Sequence, residues 1–254
     1  MSVYQITFSP TGGTQKVARA IIGAWEDQSK EIDLLREGRE WEFSADDLCV
    51  IVLPAFGGRI PLVCEERMKK LNGNGAKAVL VAVYGNRAID DTLLEMKDTA
   101  QAQGFVPVAA VEAVAEHSII RDFAAGRPDE EDCTELFSFG QAVRTALEEN
   151  WTRNELVVPG NDPYRERTQS AVKLVTGKGC NSCGLCVGEC PVRAISAEEP
   201  RNIDTERCIA CMRCVSVCPR GARKLDAEFA AMMKAKMEPV CSGRKENKLY
   251  QSWE

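Results

Sequence analysis

Cys180-Asn-Ser-Cys183-Gly-Leu-Cys186-Val-Gly-Glu-Cys190-Pro191 and Cys208-Ile-Ala-Cys211-Met-Arg-Cys214-Val-Ser-Val-Cys218-Pro219 are two copies of one pattern. Each reads C-x2-C-x2-C-x3-C-P, the run that holds [4Fe–4S] clusters in bacterial proteins. The spacing has a physical cause. Three thiolates on one tight turn reach three iron corners of a single cube. The fourth, held by the following proline, points away from that cube.

In two-cluster proteins of this kind the fourth cysteine ligates the other cube. The expected ligand sets are therefore Cys180, Cys183, Cys186 and Cys218 for one cluster, and Cys208, Cys211, Cys214 and Cys190 for the other. This crossing ties the two halves together and keeps the clusters close enough for rapid electron exchange. Zinc and disulfides are the rival readings. Zinc needs only four cysteines per site and leaves the C-x3-C-P ending without a reason. Disulfides belong to oxidising compartments. The N-terminus shows no basic segment followed by an apolar stretch and a cleavage site, so no signal peptide is expected. A reducing cytoplasm is the expected location, and no apolar run approaches the length of a membrane span. Cys49 and Cys64 lie in apolar stretches and read as small core residues. Cys241 is a lone thiol in a polar tail.

The chain has 254 residues, room for two domains. Its 44% hydrophobic and 28% charged content fits a globular protein. The charge is uneven: residues 1–150 carry a balance of −10 and residues 151–254 one of +4. Two cysteine-ligated cubes add roughly −4, because thiolate charge outweighs core charge. The basic excess thus balances the clusters. The basic residues are not interleaved with aromatics, so a nucleic-acid platform is not expected.

Upstream of the cysteines, β-rich runs alternate with helical ones. Val3–Phe8 is a short strand pattern that ends in Ser9-Pro-Thr11-Gly12-Gly13-Thr14. The following residues place Val17, Ala20, Ile21 and Ala24 on one helical face. A strand, a Gly/Ser/Thr turn and a helix N-terminus form an anion site, with a capped helix start as the structural alternative. The loop lacks the lysine of a nucleoside-triphosphate loop and the spacing of a dinucleotide loop. Glu31–Leu35 reads as a second strand near an edge. Leu48–Leu53 is continuously apolar, as for a strand buried on both faces. It ends in Pro54-Ala55-Phe56-Gly57-Gly58-Arg59. Ala76–Tyr84 is a fourth strand, ending in Tyr84-Gly85-Asn86-Arg87. Phe105–Val114 is a fifth, followed by Glu116-His117-Ser118 and the chain's only histidine. Asp129–Glu149 closes the region as a helix.

The loop Ser9–Thr14 resembles the phosphate loop of flavodoxins, and the whole chain resembles the flavodoxin–ferredoxin fusion proteins of anaerobic bacteria and archaea. The resemblance implies an α/β fold, a flavodoxin-like doubly wound parallel five-stranded sheet of order 2-1-3-4-5, over residues 1–150. A connector at 151–175 follows. A small α+β 2[4Fe–4S] ferredoxin-like domain fills 176–226, and a C-terminal helix and tail take 227–254. It also implies two [4Fe–4S] clusters and FMN. Ser9, Thr11, Gly12, Gly13 and Thr14 would wrap the flavin phosphate. Ala55, Phe56, Gly57, Gly58 and Arg59 would form one side of the ring site, with Phe56 stacked on the ring. Tyr84, Gly85, Asn86 and Arg87 would form the other, although each loop also reads as a plain turn and Tyr84 as a core residue.

Two functions follow as expectations. One is a low-potential electron carrier passing electrons between the clusters and FMN, with redox proteins as partners. The other is an FMN-dependent reductase of a small molecule, with Tyr84 or His117 as proton donor. An empty docking domain is a third reading. Arg193, Arg213 and Arg220 beside the cysteines are candidates for tuning cluster potentials. Arg165, Arg167 and Lys173 of the connector are placed to lie against either cofactor.

Overall fold

Val3–Thr7 and Leu48–Pro54 are the two strands whose loops carry the first glycine motifs, and they lie side by side. The computed structural model describes residues 1–25, 29–149, 154–167 and 172–253. Along the chain the elements are β1 (Val3–Thr7), α1 (Gly13–Ile22), β2 (Ser29–Asp33), β3 (Trp41–Glu42), β4 (Leu48–Pro54), α2 (Leu62–Met68), β5 (Leu71–Asn72), β6 (Lys77–Tyr84), α3 (Thr92–Ala102), β7 (Val106–Val114) and α4 (Glu130–Glu148). They continue as β8 (Leu174–Thr176), α5 (Leu185–Gly188), α6 (Arg213–Ser216), β9 (Arg223–Leu225), α7 (Ala227–Cys241) and β10 (Lys248–Gln251).

The main sheet has the order β10-β7-β6-β4-β1-β2. Its five strands from the first half are all parallel and run 2-1-3-4-5 in their own numbering. The reason is visible in the side chains. Every residue of β4 is buried, as is all of β6 after Lys77, so both strands must be covered on both faces. One face packs on α2 and α3 through Phe8, Ile51, Leu80, Leu93 and Met96. The other packs on α1 and α4 through Val17, Ile21, Val50, Val81 and Leu136. The layer pattern is therefore helix–sheet–helix, with the three glycine loops at the carboxyl ends of β1, β4 and β6, the edge at which open α/β sheets take ligands.

The sheet departs from expectation in one respect. It has six strands rather than five, because β10 from the tail pairs antiparallel with β7. A short polar segment, Lys-Leu-Tyr-Gln, gives no strand signal against its neighbours; it is recruited by an open edge. The cysteine-rich module lies between β8 and β9, which pair with each other. It is thus bracketed in sequence by pieces that return to the α/β body. The described part of the connector is no loose linker. Asn161 and Arg165 donate backbone N–H groups to Asp91, and Leu156 is buried in the core. Residues 151–153 and 168–171 of the expected connector lie outside the described residues.

Candidate iron–sulfur and flavin sites

The two cysteine runs fold as two equivalent turns. Each begins with a residue in the left-handed region, Ser182 in the first and Ala210 in the second. Each then enters a four-residue helix whose N-cap, Gly184 or Met212, is also left-handed. The turns curl backbone around a centre, which is what three ligands on one cube require.

Across the two turns the thiols regroup as the crossed pattern demands. Cys180, Cys183, Cys186 and Cys218 line one cavity together. Cys190 lies within electrostatic reach of Cys208, Cys211 and Cys214. All twelve cysteines are free thiols. The fourth cysteine of each run is held alike: Ala194 N–H donates to Cys190 Sγ at 3.2 Å and Ala222 N–H to Cys218 Sγ at 3.3 Å. Backbone donors, first that of Arg223, pull the Cys218 thiol below its usual range. Burial pushes the Cys211 thiol up to about 12 and the Cys214 thiol up to about 11. The cavity of the first group carries a sign of an absent acceptor. Arg223 lines it, with Nη2 3.8 Å from Cys186 Sγ, and its buried Nε has no hydrogen-bond partner. A thiolate- and sulfide-rich cube supplies that acceptor. The residues fit two [4Fe–4S] clusters.

The second group is the one that meets the α/β body. Cys211 and Cys214 are each 9% exposed, and Met212 is buried between them. Arg213 Nη1 donates to the carbonyl of Pro10 at 3.3 Å, inside the first glycine loop, and Ser216 Oγ lies 3.2 Å from the same carbonyl, sharing its proton with the Arg213 carbonyl at 3.0 Å. Arg213 also pairs with Glu189, which pairs with Arg36. Arg67 of α2 donates to the carbonyls of Leu34 and Pro191. Val192 and Ile209 pack on the α2/α3 face of the sheet. Cys183 of the first group, by contrast, is exposed.

Of the expected flavin loops, the first leaves its helix N-terminus uncapped. Gly12 takes φ +95° and a Cβ there would meet only open space. No side chain caps α1 at Gly12. Ser9 Oγ instead accepts from Gln15 N–H at 2.9 Å, which pins the turn. Thr14 is buried, Gly13 packs against Ala115, and Thr11 is exposed. An uncapped ten-residue helix with a bare glycine backbone fits a phosphate. In the second loop Ala55, Phe56 and Gly57 remain at least partly open to solvent, while the carbonyl and N–H of Phe56 close a turn with Arg59. Gly58 is needed because any Cβ would strike Asp90 at 2.1 Å.

The remaining expected side chains are engaged elsewhere. Arg59 grips the buried Glu95 through two nitrogens and lies over the Tyr164 ring, so it faces the connector. Tyr84 is in the core, its hydroxyl towards Glu112. Gly85 gives room for His117, which a Cβ would meet at 2.5 Å. Asn86 donates to the carbonyls of Cys241 and Gly243, and the Arg87 carbonyl accepts from Lys245. The third loop therefore anchors the tail. His117 Nδ1 accepts from the N–H groups of Ile119 and Ile120, and burial lowers its pKa to about 4. Arg165, Arg167 and Lys173 pair with Asp90, Glu95 and Asp226, not with the cysteine cavities. Arg193 reaches out to Glu37, and Arg220 donates to the Gly179 carbonyl at 2.8 Å.

Sequence reasoning did not single out Arg67, Glu189, Ser216 or Arg223. Their partners lie up to 206 residues away, and no local pattern marks such contacts.

Comparison with known proteins agrees with the cysteine geometry. Residues 201–224 and 178–193 match two families, each described as a 4Fe-4S binding domain. The chain is 46% identical over 55 residues to a subunit of the ion-translocating oxidoreductase complex of Methanosarcina acetivorans, 21% of each protein. It is 35% identical over 68 residues to a tetrathionate reductase subunit of Salmonella typhimurium, 25% of this chain and 27% of that one. The chain thus spans about a quarter or less of the length of these curated relatives. Among solved structures, a flavodoxin from the domain Archaea covers 58% of this chain and 99% of its own at 13% identity and a TM-score of 0.42. Oxidised flavodoxin 2 from Bacillus cereus covers 57% and 99% at 14% identity and a TM-score of 0.42. The fold assignment rests on the strand order rather than on these scores. Among the described residues no helix is long and apolar enough to cross a membrane. The chain joins an α/β domain of flavodoxin-like topology to a C-terminal iron–sulfur electron-transfer module of the 4Fe-4S binding type.

Proposed function

We propose that the protein passes electrons between two [4Fe–4S] clusters and a bound FMN, and exchanges them with partner redox proteins. When bound, these groups supply one-electron steps at iron and one- or two-electron steps at flavin. The chain's own part is to hold, insulate and aim them. Cys180, Cys183, Cys186 and Cys218 ligate one cluster; Cys190, Cys208, Cys211 and Cys214 ligate the other. Ser9 to Thr14 hold the phosphate, and Ala55 to Gly57 border the ring. The observation that carries this reading is the pair of contacts from Arg213 and Ser216 to the Pro10 carbonyl. They dock the second cysteine group on the loop that suits a flavin phosphate, and Arg67 holds Pro191 from the other side. The two curated relatives are by name parts of redox assemblies, which supports protein partners.

A carrier is favoured over a small-molecule reductase by the two candidate proton donors. The hydroxyl of Tyr84 is directed at Glu112 inside the core. His117 spends one ring nitrogen on two backbone N–H groups and is neutral at pH 7.

The test is Arg213→Ala in the fully loaded protein. Iron and flavin contents should be unchanged, while electron exchange between flavin and clusters after rapid reduction slows at least about tenfold through lost positioning. An unchanged rate, or purified protein without FMN, contradicts the reading.

A further inference from the structure

The two cysteine groups differ in what surrounds them, and the difference assigns them different tasks. Cys211 and Cys214 are 9% exposed and sit against the α/β body. A partner cannot approach them without displacing it. Cys183 is exposed, and the turn around it, from Gly177 through Ser182, is open except at Cys180. Leu185, at 43% exposure, presents an apolar side chain beside that turn.

The charge on the segments that form this opening is mostly basic, and Arg220 and Arg223 line the cavity. Lys178 stands two residues before Cys180, Arg220 two after Cys218, and Lys224 on β9; all three are exposed. Arg201, also exposed, ties the turn down by donating to the carbonyls of Cys180, Thr176 and Gly177. The stretches 174–186 and 218–225 contain no carboxylate. The nearest ones along the chain are neutralised by other cations: Glu189 pairs with Arg36 and Arg213, and Asp226 with Lys173. Glu198 and Glu199, held within their own loop by Ser196 and Asn202, keep their charge next to Pro200 of the cavity wall and are the acidic exceptions. The cations of this rim, Lys178, Arg201, Arg220, Arg223 and Lys224, outnumber the roughly −2 that one thiolate-ligated cube would add, and the rim stays basic in a chain whose formal net charge is −6. It has the layout of a transient electron-transfer contact: a small exposed apolar spot over a redox centre, bordered by a basic excess that steers the encounter.

We propose that the cluster held by Cys180, Cys183, Cys186 and Cys218 is the electron port of the molecule, and that it docks a redox protein with an acidic face. This rests on the two-cluster reading above and adds the port and the chemistry of the partner. The second group, with Cys211 and Cys214 buried and Cys190 and Cys208 half-buried, then relays inward to the first glycine loop.

The test uses the fully loaded protein, reduced anaerobically, and two oxidants with potentials far above any low-potential cluster: an acidic blue-copper protein and a basic cytochrome c. Each encounter moves one electron to Cu(II) or to ferric haem, which becomes Cu(I) or ferrous haem; no bond is made and no proton moves. Oxidation by the acidic protein should slow as salt is raised. Lys178→Glu with Lys224→Glu should slow it at least about tenfold and speed the cytochrome reaction. A double reversal of the same size far from the port, Lys30→Glu with Arg19→Glu, should change either rate less than about threefold. Carbodiimide coupling, read by peptide mapping, should join the acidic protein to Lys178 or Lys224. The proposal is overturned if the two double variants slow the acidic oxidant equally, or if coupling falls only on lysines of the α/β body. A protein whose iron cannot be reduced by a small-molecule donor instead contradicts the two-cluster reading itself.

Discussion

Arg223 shows how one side chain can set a redox property. Its guanidinium lies beside Cys186, donates to the Pro200 carbonyl, and leaves a buried N–H for the cluster cavity. Reduction adds negative charge, which a neighbouring cation and its hydrogen bonds favour. Arg223→Met should therefore lower the potential of that cluster by roughly 50 mV or more with iron content retained, as read by redox titration; an unchanged potential removes Arg223 from that role. His117 gives a pH prediction. Its folded pKa, about 4, is below its ordinary value of 6.5, chiefly through burial. The stability it contributes is complete above about pH 6.5 and is lost as pH falls towards 4. His117→Asn keeps an acceptor for the Ile119 and Ile120 N–H groups. The thermal midpoint of this variant should fall less than that of the parent between about pH 6.5 and 4. Equal slopes would show that other groups carry the acid sensitivity. The lone histidine was legible as structural or catalytic but not decided between them, because its deciding partners are backbone groups that no motif encodes.

Among the elements, the strands were the most legible and the tail the least. β4 and β6 are written as unbroken apolar runs because both faces must be covered, and their alternation with helical segments points to a parallel, doubly covered sheet. The cysteine turns were legible for a different reason: cluster ligation confines the cysteines to a few spacings, and this one occurs twice. The third glycine loop misled for a physical reason too. A Tyr-Gly-Asn-Arg sequence after a central strand suits a flavin edge, yet the same polar groups suit a returning chain. Asn247 shows how firmly that chain is held. Its Oδ1 accepts from Val114 N–H at 2.8 Å, and its Nδ2 donates to Asp132 and Glu135. Asp132 in turn is clamped by Arg127, both nearly fully buried. Asn247→Leu should cost about 2–4 kcal/mol in denaturant unfolding, because buried donors and acceptors lose their partners; a loss below about 0.5 kcal/mol would show that β10 is only loosely attached. In the first loop, Thr11→Ala with Gly12→Val should cut FMN content in the purified protein several-fold. The valine is disfavoured at φ +95° and puts side-chain atoms where a phosphate approaches. Full FMN occupancy in that variant would place the phosphate elsewhere.

At the scale of the whole molecule, the cysteine module is not an appendage at the end of a chain. β8 and β9 close it, α7 leads away from it, and β10 returns to the sheet edge. α7 itself is moored by Met233 and Met237 against Ile120 and Phe123. A module held on both sides keeps one cysteine group against the first glycine loop and leaves Cys183 of the other exposed. The sequence could name the two clusters but not which faced inward, since that depends on contacts such as Arg213 to Pro10 that join distant segments. The central claim is that three redox groups share this single chain. Anaerobic purification with iron, acid-labile sulfide and flavin analysis tests it most directly. The account predicts about eight iron, about eight sulfide and about one FMN per chain, as two cubes and one flavin require. Zinc in place of iron, about four iron per chain, or iron without flavin would contradict it.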